Sequence, residues 1–276
     1  MTAGIPRLKA PKGTCDTHMH FYGSQYPIAP TAQVKPPPAT VEDYRAMARR
    51  LGLERTVVVQ PSTYGKDNTC TLDSIAALGL DKARGIAVVD TDVTEAELRR
   101  LTACGIRGIR FFALPGGALP WEKFDALAAR VQSVGWHVQL QLDGRLLPER
   151  EAQIRRWPGR IVIDHQGKFL EPVPVDHPAF RCLLRLVESG RVWVKLAAPY
   201  ETSKVGPPFF DDVGRLAKAL VQAAPERMLW ASNWPHPSVA EKPDDAVLLD
   251  MLLDWAPDAA VRQRILVDNP AEVYGF

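Results

Sequence analysis

Residues 84–112 read RGIAVVDTDVTEAELRRLTACGIRGIRFF and hold one complete strand–helix–strand unit. RGIAVVD (84–90) is an almost unbroken apolar run. Thr94 with Glu97 three residues later is a capping-box signal for a helix start, and Gly105 is a helix stop. GIRGIRFF (105–112) is the next strand. Both strands are apolar at successive positions rather than at alternate ones. That pattern belongs to strands buried on both faces, as in a parallel sheet with helices packed outside it.

The same alternation extends in both directions. Upstream, CDTHMH (15–20) ends a first short strand. Thr40-Val-Glu-Asp43 starts a helix running to about Arg50, stopped by Gly52, and TVVVQ (56–60) precedes a helix around 70–79. Downstream, WEKFDALAARVQSVG (121–135) reads as helical and HVQLQL (137–142) as a strand. A helix near 148–156, the strand RIVIDHQG (160–167), a helix at 178–189 and the strand RVWVKLA (191–197) follow. A helix at 210–223, the strand RMLWASNW (227–234) and a long helix over about 244–255 complete the series. The proline-dense KPPPAT (35–40) is too short for a domain linker. Eight such units in 276 residues predict a single (β/α)8 barrel over 1–276. A doubly wound open sheet is disfavoured, because no glycine-rich phosphate loop follows any strand.

Composition narrows the function. A formal charge of +2 without a basic cluster gives no reason to expect nucleic acid. No apolar run approaches membrane-spanning length, and MTAGIPRLKAPKG at the N-terminus lacks the apolar core of a signal peptide, so the expected location is cytoplasmic. Cys15, Cys70, Cys104 and Cys182 are scattered, which reads as free thiols rather than a metal or disulfide framework. Oligomeric state is not legible.

In a (β/α)8 barrel the chemistry gathers at the C-terminal ends of the strands. Strand one ends in His18 and His20, which alternation points to one side. Strand two ends in Gln60 and then Ser62, strand four at Arg110, and strand five at Gln139 and Gln141. Strand six ends in Asp164-His165, strand seven in Lys195, and strand eight in Asn233 with His236 just beyond. His137, at the start of strand five, reads as structural, and His177 as a loop residue.

The segments CDTHMHFYG, VVVQPSTYGKDN, GIRGIRFF, IVIDHQGK, VKLAAPY, LWASNWPHP and ILVDNPAEVYGF resemble those of an amidohydrolase-superfamily barrel. The resemblance is to the branch of 2-pyrone-4,6-dicarboxylate lactonases, 4-sulfomuconolactonases and galactarolactone isomerases. It implies a site in which His18, His20 and His165 are the histidines of strands one and six. It also implies that Ser62 contacts substrate and that Arg110 grips a substrate carboxylate. Three positions depart from the pattern. Gly116 stands where a second arginine is expected, Lys168 replaces an arginine, and Asn233 occupies the strand-eight position that normally carries an aspartate.

Those departures bear on metal and on mechanism. Arg110 opposes a bridging metal, and strand five offers glutamines instead of histidine. Three histidines and a water suffice by count for one zinc. Without a strand-eight carboxylate, however, the expectation is no metal and no cofactor. Asn233 cannot accept a proton at neutral pH, so water lacks a base. A sugar-acid lactone carries its own hydroxyl, and intramolecular attack reaches effective molarities of about 10⁵ M or more.

The expected reaction is therefore isomerisation of a sugar-diacid 1,5-lactone, D-galactaro-1,5-lactone, to the 1,4-lactone. His18, His20 and His165 would polarise the carbonyl, with Asn233 withholding base catalysis from water. Arg110, with Lys168 or Lys195, would hold the substrate carboxylate. Tyr22, Ser62, Gln139, Gln141 and His236 complete the expected substrate-binding set. The proton carrier is open among His18, His165 and His236. The alternative is a lactone hydrolase of the pyrone-dicarboxylate or sulfomuconolactone type, with zinc or His236 activating water; a barrel that binds a sugar acid without turning it over ranks below both.

Overall fold

The computed structural model describes residues 4–276; the first three residues of the N-terminal segment lie outside the described residues. Eight parallel strands form one sheet in the order β1 to β8. They are β1 (Cys15–Met19), β2 (Arg55–Val59), β3 (Ala83–Ala87), β4 (Ile106–Phe112), β5 (His137–Gln141), β6 (Ile161–Ile163), β7 (Val192–Leu196) and β8 (Met228–Trp230). Between them lie α1 (Val41–Leu51), α2 (Thr69–Leu78), α3 (Glu95–Ala103), α4 (Phe124–Gln132), α5 (Leu147–Arg156), α6 (Pro178–Glu188) and α7 (Asp211–Ala223). The long helix expected over 244–255 is two pieces, α8 (Asp245–Asp250) and α9 (Leu252–Trp255). Among the described residues, no helix is long and apolar enough to cross a membrane.

The local signals act as the sequence requires. Thr40 and Asp43 form a reciprocal capping box at α1. Thr94 accepts the Glu97 N–H at 3.1 Å, while the Glu97 carboxylate turns outward to Arg100. The sheet closes by bonds between β1 and the chain around and after β8: Asn233 N–H donates to His18 O at 2.9 Å and His20 N–H to Trp234 O at 2.8 Å. Asp16, fully buried, pins this seam by accepting from Ser232 N–H and Oγ at 3.0 and 2.5 Å.

Inside the barrel, alternation sorts the strands into layers. Cys15, Val57, Val59, Ile86, Val162, Trp193 and Leu229 form an apolar cluster with Tyr274. Two residues further along their strands, Asp164 and Lys195 are also fully buried. Strand β1 keeps this order only through an irregularity between Asp16 and Met19. That extra residue brings both Cys15 and His18 to the inside, although they are three apart, which strict alternation forbids.

Gly108 lets β4 pass close over β5. A Cβ there would lie 2.7 Å from His137 Nε2 and 2.8 Å from His137 O, part of the backbone. Gly108→Ala is therefore expected to destabilise the barrel by about 1–3 kcal/mol, the usual cost of overpacking. Urea unfolding measures it, and an unchanged midpoint would contradict the close approach.

Candidate active site

The loops after the strands enclose a cavity of about 280 Å³ at the C-terminal end of the barrel. His20, Tyr22, Ser62, Arg110, Gln141, His165, Lys168 and Asn233 line it, together with Glu201. Backbone strain gathers here. His165, Gln166, Lys168, Ala198, Asn233 and His236 are non-glycine residues with φ between 49° and 61°, all in the turns after β6, β7 and β8. Such backbone persists only where its surroundings enforce it, and it marks functional loops. It also explains why β6 and β8 have only three residues each: the expected longer runs leave the sheet to aim His165 and Asn233 at the cavity.

Arg110 is the anchor of one wall. Its Nη1 donates to Gln60 O at 2.8 Å and its Nη2 to Gln141 Oε1 at 2.9 Å, while its buried Nε has no partner. Burial lowers its pKa from the usual guanidinium value, but Arg stays charged at any ordinary pH. Lys168 enters from the turn after β6 and pairs with Glu201. Burial pushes the Lys168 ammonium down to about 8, with Asp164 opposing and Arg110 adding to that shift.

The histidines are held neutral. Burial first, and then Arg110, brings His20 down to about 3. His18 is lowered well below the normal range by burial and by Lys195, and His165 by burial and by His18. His20 Nδ1 lies 2.7 Å from Val59 O, so the single proton of that neutral ring is on Nδ1. Its Nε2 lone pair then faces His18 Nε2 at 3.2 Å, and His18 donates there. His18 Nδ1 accepts from Lys195 Nζ at 3.3 Å. His165 Nδ1 is buried without a partner, which places its proton on Nε2.

Three expected substrate contacts stand apart from the cavity wall. Lys195 and Gln139 are completely buried one layer below: Lys195 Nζ donates to Gln139 Oε1 at 2.7 Å and lies 3.5 Å from Asp164 Oδ1. Gln139 Nε2 donates to Asp164 Oδ2 at 3.1 Å. His236 is also turned away, between Tyr200 OH at 2.8 Å and Asp245 Oδ1 at 3.0 Å. His18, expected at the carbonyl, is fully buried beneath His20 and outside the lining.

The cavity also contains what sequence reasoning missed. Asn233 Nδ2 donates to Tyr200 OH at 2.9 Å and to Glu201 Oε1 at 3.2 Å. The chain Asn233–Tyr200–His236–Asp245 thus fixes the amide, and both amide protons are spent on the protein. Glu201, in the turn after β7, is the one carboxylate of the lining among the described residues. No motif marks it; the left-handed Ala198 that turns the chain toward it has no sequence signature.

His18, Asp164 and His165 gather three potential metal donors in one place. The donor set does not fit a metal ion as it stands. The His18 Nδ1 and Asp164 Oδ1 lone pairs are already turned to the Lys195 ammonium, at 3.3 and 3.5 Å. An internal cation holds the place.

The family model described as "Amidohydrolase" matches residues 15–276. The D-galactarolactone isomerase of Agrobacterium fabrum is 37% identical over 279 residues, covering 99% of this chain and 95% of that protein. A 4-sulfomuconolactone hydrolase of Rhizobium radiobacter is 36% identical over 273 residues, covering 96% and 91%. The apo crystal structure of an Agrobacterium tumefaciens protein superposes with a TM-score of 0.93 at 37% identity, covering 98% of each chain. Barrel, site and sequence agree: this chain belongs to the amidohydrolase family.

Proposed function

We propose that the chain is a lactone isomerase that converts D-galactaro-1,5-lactone into the 1,4-lactone by intramolecular acyl transfer, without a metal. The observation that carries this reading is Asn233. At the end of β8 the cavity presents an amide whose two protons go to Tyr200 and Glu201. Its carbonyl oxygen can receive a hydrogen bond from a hydroxyl, but it cannot take the proton from water. The similarity to a D-galactarolactone isomerase over nearly the whole chain supports the same substrate class.

The substrate is a small acid that brings its own nucleophile. Its free carboxylate suits Arg110, whose buried Nε lacks a partner, and the Lys168 ammonium beside it. The lactone carbonyl suits His165, which stays neutral and offers Nε2–H. One preorganised donor to a developing oxyanion contributes about 3 kcal/mol in a dry site. Tyr22, Ser62 and Gln141 line the cavity where the sugar hydroxyls must lie. His18, Gln139 and Lys195 form the buried base of the site and fix its protonation pattern rather than touching the sugar, while His20 lines the cavity above them.

Attack of the C4 hydroxyl on C1 followed by cleavage of C1–O5 gives the five-membered ring. Proton NMR of the 1,5-lactone with purified protein tests this. The 1,4-lactone should accumulate before the open-chain acid; acid appearing first would refute isomerisation in favour of hydrolysis. Prior exhaustive chelation should leave the rate unchanged, and loss of activity restored by zinc would refute the metal-free reading.

A further inference from the structure

Isomerisation needs a proton to leave one oxygen and reach another, and the three histidines open for that task at the sequence level do not fit it. His18 is fully buried below the cavity. His236 has both ring nitrogens committed, to Tyr200 and Asp245. His165 reaches the cavity, but its burial among cations holds it neutral, suited to donating to the carbonyl and poorly suited to taking a second proton. Tyr200 is partly buried, bonded to Asn233, and outside the lining.

We infer that Glu201 is the proton-transfer group of this site, taking the proton from the attacking hydroxyl and returning it to the leaving oxygen. The inference rests on the isomerase reading above. Glu201 is the one carboxylate of the cavity lining among the described residues. Lys168 contacts its Oε2, and Asn233 Nδ2 and Ser238 Oγ donate to its Oε1. Three donors leave a carboxylate oxygen with room for one more, since the group offers about four lone-pair sites. Its Asn233 neighbour is the residue whose carbonyl oxygen can hold the attacking hydroxyl.

The chemistry of the ring shift favours one carrier over two. The attacking oxygen sits on C4 and the leaving oxygen on C5, on adjacent carbons, so a single carboxylate can face both. The step balances. The C4 O–H proton passes to Glu201 as O4 bonds to C1, and the C1=O electron pair moves onto the oxyanion. That pair then returns, the C1–O5 bond breaks, and the Glu201 carboxylic acid gives its proton to O5. Nothing is consumed, and Glu201 ends as it began. When the substrate carboxylate draws on Lys168, Glu201 loses part of its counter-charge in the loaded site.

The test compares Glu201→Gln and Glu201→Asp with the wild type by single-time-course NMR on the 1,5-lactone, with calorimetric binding of open-chain galactarate as the check on fold and pocket. Glu201→Gln keeps the shape and can still accept from Lys168 through its amide oxygen. It should lower kcat by about 10²-fold or more, the usual worth of general acid–base catalysis, while galactarate binding changes little. Glu201→Asp, a carboxylate held further back, should recover part of that loss. A Gln variant within tenfold of wild-type kcat, or an Asp variant no faster than the Gln variant, would overturn the assignment. Should Glu201→Gln not fold, Glu201→Asp decides alone: kcat reduced with galactarate binding intact supports a reacting carboxylate, and unchanged kcat overturns it. A wild type that fails to form 1,4-lactone sinks the isomerase reading itself, which separates the two failures.

Discussion

Asn233→Asp is expected to convert the proposed lactone isomerase into an enzyme that releases open-chain acid. The amide nitrogen of Asn233 lies 3.2 Å from Glu201 Oε1. An aspartate in its place would set two carboxylates almost in contact. Two like charges that close cannot both ionise easily, so one of the pair takes a raised pKa. A carboxylate with a pKa raised toward neutrality is what general-base activation of water calls for. The Tyr200 hydroxyl, which now accepts from the amide, would have to turn and donate to the new carboxylate. The rate of hydrolysis should rise by about 10²- to 10⁴-fold, the range of one well-placed general base. The NMR time course reads the outcome as the ratio of acid to 1,4-lactone formed early in the reaction. A wild type that already hydrolyses faster than the variant would show that Asn233 is not what withholds water attack.

The contrast between Asn233 and its neighbours shows what a sequence can and cannot carry. The barrel was legible because apolar runs such as RGIAVVD and GIRGIRFF have one physical explanation, and because Thr40 and Thr94 announce their helices. His20, Arg110, His165 and Asn233 were legible because strand ends of a barrel converge. Depth was not legible. Alternation tells which face of a strand a side chain takes, but not which layer, so Gln139 and Lys195 read as equals of Gln141 and Lys168, although they lie completely buried beneath them. His18 likewise lies a layer deeper than the strand pattern shows. Glu201 and Tyr200 follow β7 through a turn whose left-handed residue is an alanine, and no glycine or asparagine advertised it. The one carboxylate of the cavity lining among the described residues was therefore invisible, while the amide beside it at Asn233 was plain.

Lys195→Met should show what the buried cation does. Lys195 is entirely buried, and burial lowers its ammonium to about 8, against the opposing pull of Asp164. The sign of the linkage is unfavourable: a lysine pKa depressed in the folded state costs stability at neutral pH, and the cost fades as pH rises from about 8 toward 10.5. The charge is therefore not kept for its own contribution to stability. Removing it alone nonetheless strands the buried Asp164 charge, and breaking one side of such a pair costs about 3–5 kcal/mol. Adding Asp164→Asn should recover much of that loss. Without the ammonium, the single His18 proton has reason to move from Nε2 to Nδ1 and donate to Asp164 Oδ1, 3.3 Å away. Two Nε2 lone pairs, on His18 and His20, would then face each other at 3.2 Å. That repulsion is relieved by a cation, and the spacing suits two imidazoles sharing a zinc ion with bonds of about 2.0–2.1 Å. Zinc should accordingly raise the unfolding midpoint of Lys195→Met, as any ligand of the native state does, and leave the wild type unaffected. Equal zinc binding by the two proteins would mean that Lys195 does not hold the cation's place. Selective binding by the variant would show that one lysine keeps this pair of histidines from being a metal site.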